Sequence, residues 1–183
     1  MNFLPSSLDK LVKTRKGKHG KKLNDLIQLF PNTWSFFKKE YSHLPEETFE
    51  LLTQKGIYPY SYIDSFEKFD ENCLPPQQEY KSVDGEIISD AEYKLGQEIW
   101  SRFQLKSLGE LHDLYLSTDT NLLADVFNGF RDTAYKAYSL DPAHYVSAPS
   151  LSWSAALKKT RIELELLDDI DKVLFVDKCM VGK

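Results

Sequence analysis

Apolar residues recur along most of this chain at the spacing of a helix rather than that of a strand. Ser6 or Ser7 stands where a helix cap belongs, ahead of Leu8, Leu11 and Val12, and Gly17 and Gly20 then interrupt the pattern. Leu23, Leu26, Ile27 and Phe30 keep helical spacing as far as Pro31, which has no N–H to continue a helix. Trp34, Phe36, Phe37 and Tyr41 predict another short helix, and Pro45-Glu46-Glu47 opens a further one, with proline suited to a first turn. From Gly56 to about Ile88 prolines, glycines and aromatics mix without a sustained period, which predicts an irregular, well-packed connection, with Asp84-Gly85 placed to make a tight turn or small hairpin.

The second half is more regular. Ser89 and Glu92 have capping-box spacing and predict a helix through Tyr93, Ile99 and Trp100. A long helix is expected from about Ser107 to Tyr138, with Leu111, Leu114, Leu122, Leu123, Val126, Phe127, Phe130 and Ala134 on one broad buried stripe, and with Asp141-Pro142 ending it. Ser150–Thr160 and Glu163–Leu167 read as short helices and Lys172–Val176 as a strand. The pattern is mainly α, with few strands, no internal repeat and no low-complexity segment.

Composition narrows the class. The 183 residues suit one domain with a sizeable core, and 42% hydrophobic with 28% charged residues argues for a globular chain rather than a disordered one. No apolar run approaches the roughly 20 residues of a membrane span, and Met1–Pro5 carries no secretory pattern. Two cysteines, Cys73 and Cys179, are too few for a disulfide framework or a cysteine-rich zinc site, so a reducing compartment is expected. The net charge of −5 is unevenly spread: Lys10, Lys13, Arg15, Lys16, Lys18, Lys21 and Lys22 form a basic run, while acids gather at Glu46-Glu47 and at Asp168, Asp169 and Asp171. The four histidines are scattered, Gly17–Lys21 lacks the length of a phosphate loop, and there is no serine-hydrolase elbow.

One stretch carries candidate chemistry: His112-Asp113-Leu114-Tyr115-Leu116-Ser117-Thr118-Asp119, followed by Leu122-Leu123-Ala124-Asp125-Val126-Phe127. Tyr115 and Asp119 sit four apart and project from one helix face. Three further segments accompany it in order: Ser6–Val12; Lys55-Gly56-Ile57-Tyr58-Pro59-Tyr60 with Asp64-Ser65-Phe66; and Leu140–Tyr145 running into Ser150–Trp153. Together they resemble the 3′–5′ exonuclease region of protein-primed family B DNA polymerases of self-synthesising transposons, related viruses and linear plasmids. The likeness covers nearly the whole chain.

The resemblance implies the C-terminal half of a ribonuclease H-like exonuclease domain with most of its sheet missing, an α+β fold that is mainly α here. It divides the chain into a partial exonuclease domain, 1–171, and the start of the exonuclease-to-polymerase connection, 172–183. Asp119 would supply a carboxylate oxygen to magnesium or manganese, and Tyr115 would place its phenol beside the attacking water. Ser7 and Leu8 match an element that holds the single-stranded primer end, and Lys55 falls where relatives carry a lysine that assists cleavage. The parent family uses a terminal protein as primer. Its remaining metal carboxylates come from an Asp-x-Glu motif and an Asn-containing Phe/Tyr-Asp motif, which would both precede Met1. Asp90-Ala91-Glu92 has the first motif's spacing but the wrong order, Asp119 is followed by Thr120-Asn121 where relatives continue with apolar residues, and Lys178–Lys183 holds one glycine where relatives pair two. The expectation is a fragment of such an enzyme, without polymerase activity and with little or no nuclease activity alone. The competing readings are a non-catalytic single-stranded DNA-binding module, in which the basic run assists Ser7 and Leu8, and a helical protein-interaction domain.

Overall fold

The computed structural model describes residues 4, 6–17, 22–54, 56–81, 85 and 87–179, which group into two compact units, one spanning Leu4–Asp132 and the other from Thr133 onward. The protein is mainly helical. Among the described residues there is no strand, and the only β pairing is an isolated antiparallel bridge between Lys81 and Ile87, around Gly85 with its φ of 79°. Asp84, the other half of the expected turn, lies outside the described residues. The expected helical character is thus present, whereas the described residues hold no part of a central sheet and give the expected ribonuclease H-like fold no support.

In the first unit, α1 (Leu8–Lys16) starts at Ser7, whose Oγ accepts from the Lys10 N–H, and stops at Gly17, whose φ of 48° suits a residue without a Cβ. Its acidic first turn and basic last turn complement the helix dipole. Phe30 separates α2 (Leu23–Leu29) from α3 (Pro31–Glu40), and Pro31 occupies the first turn of the new helix. A 3-10 turn over Glu46–Thr48 leads into the short α4 (Phe49–Leu52), and two more 3-10 turns, Phe66–Asp70 and Gln77–Glu79, punctuate the irregular connection. The capping box at Ser89 and Glu92 opens α5 (Asp90–Arg102). The long helix α6 runs Leu108–Tyr138, and its part in this unit is the spine of the core.

That core gathers Val12, Leu26, Phe30, Phe37, Phe49, Ile99 and Phe103 around Leu108, Leu111, Leu114, Leu122 and Val126 of α6. Phe37 meets Trp34, Tyr41, Phe49 and Phe103 in stacked, tilted and edge-on contacts with ring centroids 5.5–6.5 Å apart. Burying each such ring contributes about 1.5–3 kcal/mol, which a short unit of helices needs. The buried stripe of α6 includes two polar members, Thr118 and Asp125, that hydrophobicity alone does not reveal. Leu123, expected on the stripe, is instead 52% exposed, and Leu116, seven residues earlier on the same face, is 56% exposed.

In the second unit α6 ends near Ser139, whose φ is 51°, and Asp141 Oδ1 accepts from the Ala143 N–H to start a 3-10 turn at Pro142–His144. Ser147 caps α7 (Ala148–Thr160), which closes at Arg161 in the left-handed region. Two sequence expectations fail here. Residues 163–167 have no regular secondary structure; Ile162-Glu163-Leu164-Glu165-Leu166 alternates with period 2, which a helix would scatter around its surface. Lys172–Val176 is not a strand but part of α8 (Ile170–Cys179), with Asp169 Oδ1 accepting from the Asp171 N–H at 2.7 Å. A lone strand would leave its backbone groups without a ladder, whereas a helix pairs them internally. Among the described residues no helix is long and apolar enough to cross a membrane.

Candidate functional site

A cavity of about 190 Å³ in the first unit lies between the start of α1, the middle of α6 and the segment after α4. Its lining includes Ser7, Leu8 and Asp9 from α1, Gln54 and Gly56 from the connection, and Tyr115, Asp119 and Leu122 from α6. Four of the five residues that the sequence singles out, Ser7, Leu8, Tyr115 and Asp119, therefore meet in one place although they come from distant parts of the chain. The fifth, Lys55, lies outside the described residues; its neighbours Gln54 and Gly56 both line the cavity.

Helix geometry accounts for the convergence. Tyr115 and Asp119 are one turn apart on α6, and Leu122 continues their side toward the core. Ser7 both caps α1, through its Oγ, and lines the cavity, so the start of this helix is fixed at the cavity's edge. Gly56 lets the connection run close to α6: a Cβ there would stand 3.0 Å from the Tyr115 ring. A smaller, mainly apolar recess of about 30 Å³ adjoins the cavity through Gln54, Gly56, Tyr115 and Asp119. Thr118 lines it, and its buried hydroxyl has no hydrogen-bond partner.

Burial tunes the two polar groups on α6. It holds the Tyr115 phenol well above the ordinary tyrosine range, with the hydrogen bond to Tyr60 and the Asp119 charge acting in the same direction. The phenol is therefore neutral at physiological pH and able to donate. Burial also raises the Asp119 carboxyl, against the opposing effect of hydrogen bonding from Tyr115. Ionisable groups perturbed by burial and lining a cavity occur more often at functional sites than elsewhere on a protein.

Residues that sequence reasoning passed over support Tyr115. Its hydroxyl is 2.8 Å from that of Tyr60, and its ring stacks on Tyr58 with centroids 5.0 Å apart. Tyr58 in turn places its hydroxyl 2.6 Å from His112 Nδ1. Tyr60 heads the second Tyr-x-x-x-Asp copy in the sequence, yet only Tyr60 reaches the site, while Asp64 is exposed. The Lys55–Tyr60 segment was the available signal, because it carries Tyr58 and Tyr60 beside the expected lysine.

The basic run divides. Lys13 pairs with Asp9 at 2.8 Å, and Arg15 donates from Nε to the Leu29 carbonyl at 2.8 Å while lying over the Phe30 ring, both structural contacts. Lys10 is exposed, burial lowers the pKa of Lys16, and Lys18 and Lys21 lie outside the described residues. The fit to a divalent metal is incomplete. Asp119 and Asp9 are the two carboxylates of the cavity, Asp9 is engaged by Lys13, and among the described residues no group of three or more His, Cys, Asp or Glu could hold an ion. A hard cation prefers six or more oxygens, so these residues alone do not make a magnesium or manganese centre.

No protein-family model, no curated protein and no solved structure matches the chain.

Proposed function

We propose that the cavity receives the 3′ end of a single DNA strand, as the primer-end half of a proofreading 3′–5′ exonuclease site of the protein-primed family B polymerase kind. The observation that carries this reading is the convergence of Ser7, Leu8, Tyr115 and Asp119 on one cavity, with Gln54 and Gly56 on either side of Lys55. The chemistry of the lining suits such an end. The Ser7 hydroxyl and the neutral Tyr115 phenol can donate to phosphate or sugar oxygens, Leu8 offers an apolar surface to a base, and Asp119 offers one hard oxygen to a metal. On this reading the helices are the C-terminal half of a ribonuclease H-like exonuclease domain, and magnesium or manganese would be shared with carboxylates beyond those described. The exposed Leu116 and Leu123 on α6 are in keeping with a face that further protein would cover. Because the carboxylate set is short of a metal centre, the chain by itself binds rather than cuts, and the template-directed synthesis and terminal-protein partner of the parent family belong to the same proposal.

The test compares a 5′-labelled linear oligonucleotide with a circular single strand of equal length, in binding and in manganese-dependent cleavage. End-dependent binding that weakens in Tyr115→Phe and Ser7→Ala, with no cleavage by the wild type or by Asp119→Ala, is expected. Cleavage abolished by Asp119→Ala would show a complete nuclease centre and overturn the binding-only part. Equal affinity for circle and linear strand would overturn the end-binding reading in favour of a general single-strand module.

A further inference from the structure

Helix α8 is short and uncovered. None of its 10 residues is buried, and Ile170, Val173, Leu174, Phe175 and Val176 stand 40–69% exposed. Isolated helices shorter than about 12–15 residues are marginal in water, so a helix of this length needs packing from elsewhere. One of its faces has a distinct composition. Asp171, Leu174, Phe175 and Lys178 follow i, i+3, i+4, i+7 spacing, so they share one side of the helix, with two apolar residues in the middle and one charge of each sign at the ends. The helix dipole accounts for an acid in the first turn and a base in the last, but not for their alignment with Leu174 and Phe175. Asp171 and Lys178 lie roughly 10 Å apart along the axis, too far to pair with each other. Turned end over end, however, the face is complementary to itself. A two-fold axis midway between Leu174 and Phe175 sets Asp171 of each copy against Lys178 of the other. A parallel pairing would instead set Asp171 against Asp171 and Lys178 against Lys178, so the charges select the antiparallel orientation.

We infer that α8 is a homodimerisation surface, on which a second copy of this chain docks antiparallel. Leu174 and Phe175 of both copies pack at the two-fold axis, and Asp171 at each end faces the partner's Lys178. The inference uses nothing of the cavity on α6 and stands or falls apart from it. What assigns a second copy to this face, rather than an unrelated protein, is that its charges are reversed about its own midpoint while its apolar pair sits on that midpoint. A helix roughly 15 Å long and 10 Å wide offers far less than the roughly 800 Å² that each partner buries in a standard interface. The dimer is therefore reversible and forms at high concentration.

Sedimentation velocity of the full chain at low salt, with a reductant to keep Cys73 and Cys179 free, tests the pairing. The wild type is expected to pass from monomer to dimer as its concentration rises toward about 1 mM. Phe175→Ser is expected to stay monomeric with an unchanged Tm at low concentration, because Phe175 is 69% exposed in the single chain. Asp171→Lys and Lys178→Asp each set like charges opposite one another at both ends of the pair, and each is expected to weaken dimerisation about tenfold. Mixed in equal amounts, these two variants are expected to associate again, because both ends of the heterodimer then join opposite charges. Parallel helices would not give this recovery, since one end would attract and the other repel. A wild type that stays monomeric at every concentration overturns the proposal. A dimer that survives Phe175→Ser overturns the face assigned to it, and charge variants that do not recover on mixing overturn the antiparallel pairing.

Discussion

The Asp125 carboxylate on α6 caps the N-terminus of α3 from 93 residues away in the sequence, with Oδ1 accepting from the Asn32 N–H at 2.9 Å and Oδ2 from the Thr33 N–H at 3.0 Å. The Asn32 amide and the Thr33 hydroxyl donate to the same two oxygens at 2.7 Å. Phe30, the residue before α3, has no side chain able to do this, so a fully buried carboxylate on another helix supplies what a local cap usually does. The negative charge also sits at the positive end of the α3 dipole. Asp125 belongs to the stretch that resembles an exonuclease motif, but its contacts assign it to architecture.

Removing that cap leaves buried donors unpaired. Asp125→Ala is expected to lose about 2–4 kcal/mol in urea denaturation, more than an ordinary exposed cap, because two backbone and two side-chain donors are orphaned together. A loss under 1 kcal/mol would mean that water or a shift of α3 replaces the carboxylate readily.

Asp119 should show the opposite behaviour. Its carboxyl is raised by burial, so the folded state holds the proton more tightly than the unfolded chain does. Stability associated with it is present below the unfolded pKa and is lost as pH rises through the folded value. Asp119→Asn is therefore expected to raise Tm at pH 7 and to give no gain near pH 3. Thermal melts of both proteins across that range check the sign, and a destabilised Asp119→Asn at pH 7 would contradict it.

Gly56 is the point of closest approach between the connection and Tyr115. A Cβ there would stand 3.0 and 3.1 Å from Cδ2 and Cε2 of the ring, so the ring must yield by a few tenths of an ångström. Gly56→Ala is expected to cost about 1–2 kcal/mol and to weaken the Tyr58–Tyr115 stack. The readout is a changed chemical shift of the Tyr58 and Tyr115 rings by NMR; unchanged ring signals would show that the backbone absorbs the methyl group instead.

The exposed apolar residues of 162–176 make no demand on the fold that a polar residue would violate. Leu166→Glu, at the most exposed leucine of that segment, should change unfolding free energy by less than about 0.5 kcal/mol and raise solubility. A large destabilisation would reveal packing of Leu166 that the structure lacks.

The sequence by itself determined the elements whose signals are local. Ser7 and Gly17 bound α1, the Ser89–Glu92 box opens α5, and the stripe from Leu111 to Val126 runs through a helix that begins and ends within a residue or so of the expected limits. A cap bonds within three residues and an amphipathic period repeats within four, so both are legible without a fold. The alternation at Ile162–Leu166 is equally visible and argues against the helix expected at Glu163–Leu167, and the strand propensity of Lys172–Val176 says nothing about whether a partner strand exists. Tertiary structure alone decided that Asp125 caps α3, that Tyr60 reaches Tyr115 while Asp64 turns away, and that Ser7, Leu8, Tyr115 and Asp119 share one cavity. Those relationships depend on how helices pack, which no short window of sequence contains, and the buried Asp125 carboxylate marks one of them because its partners lie across the core on α3.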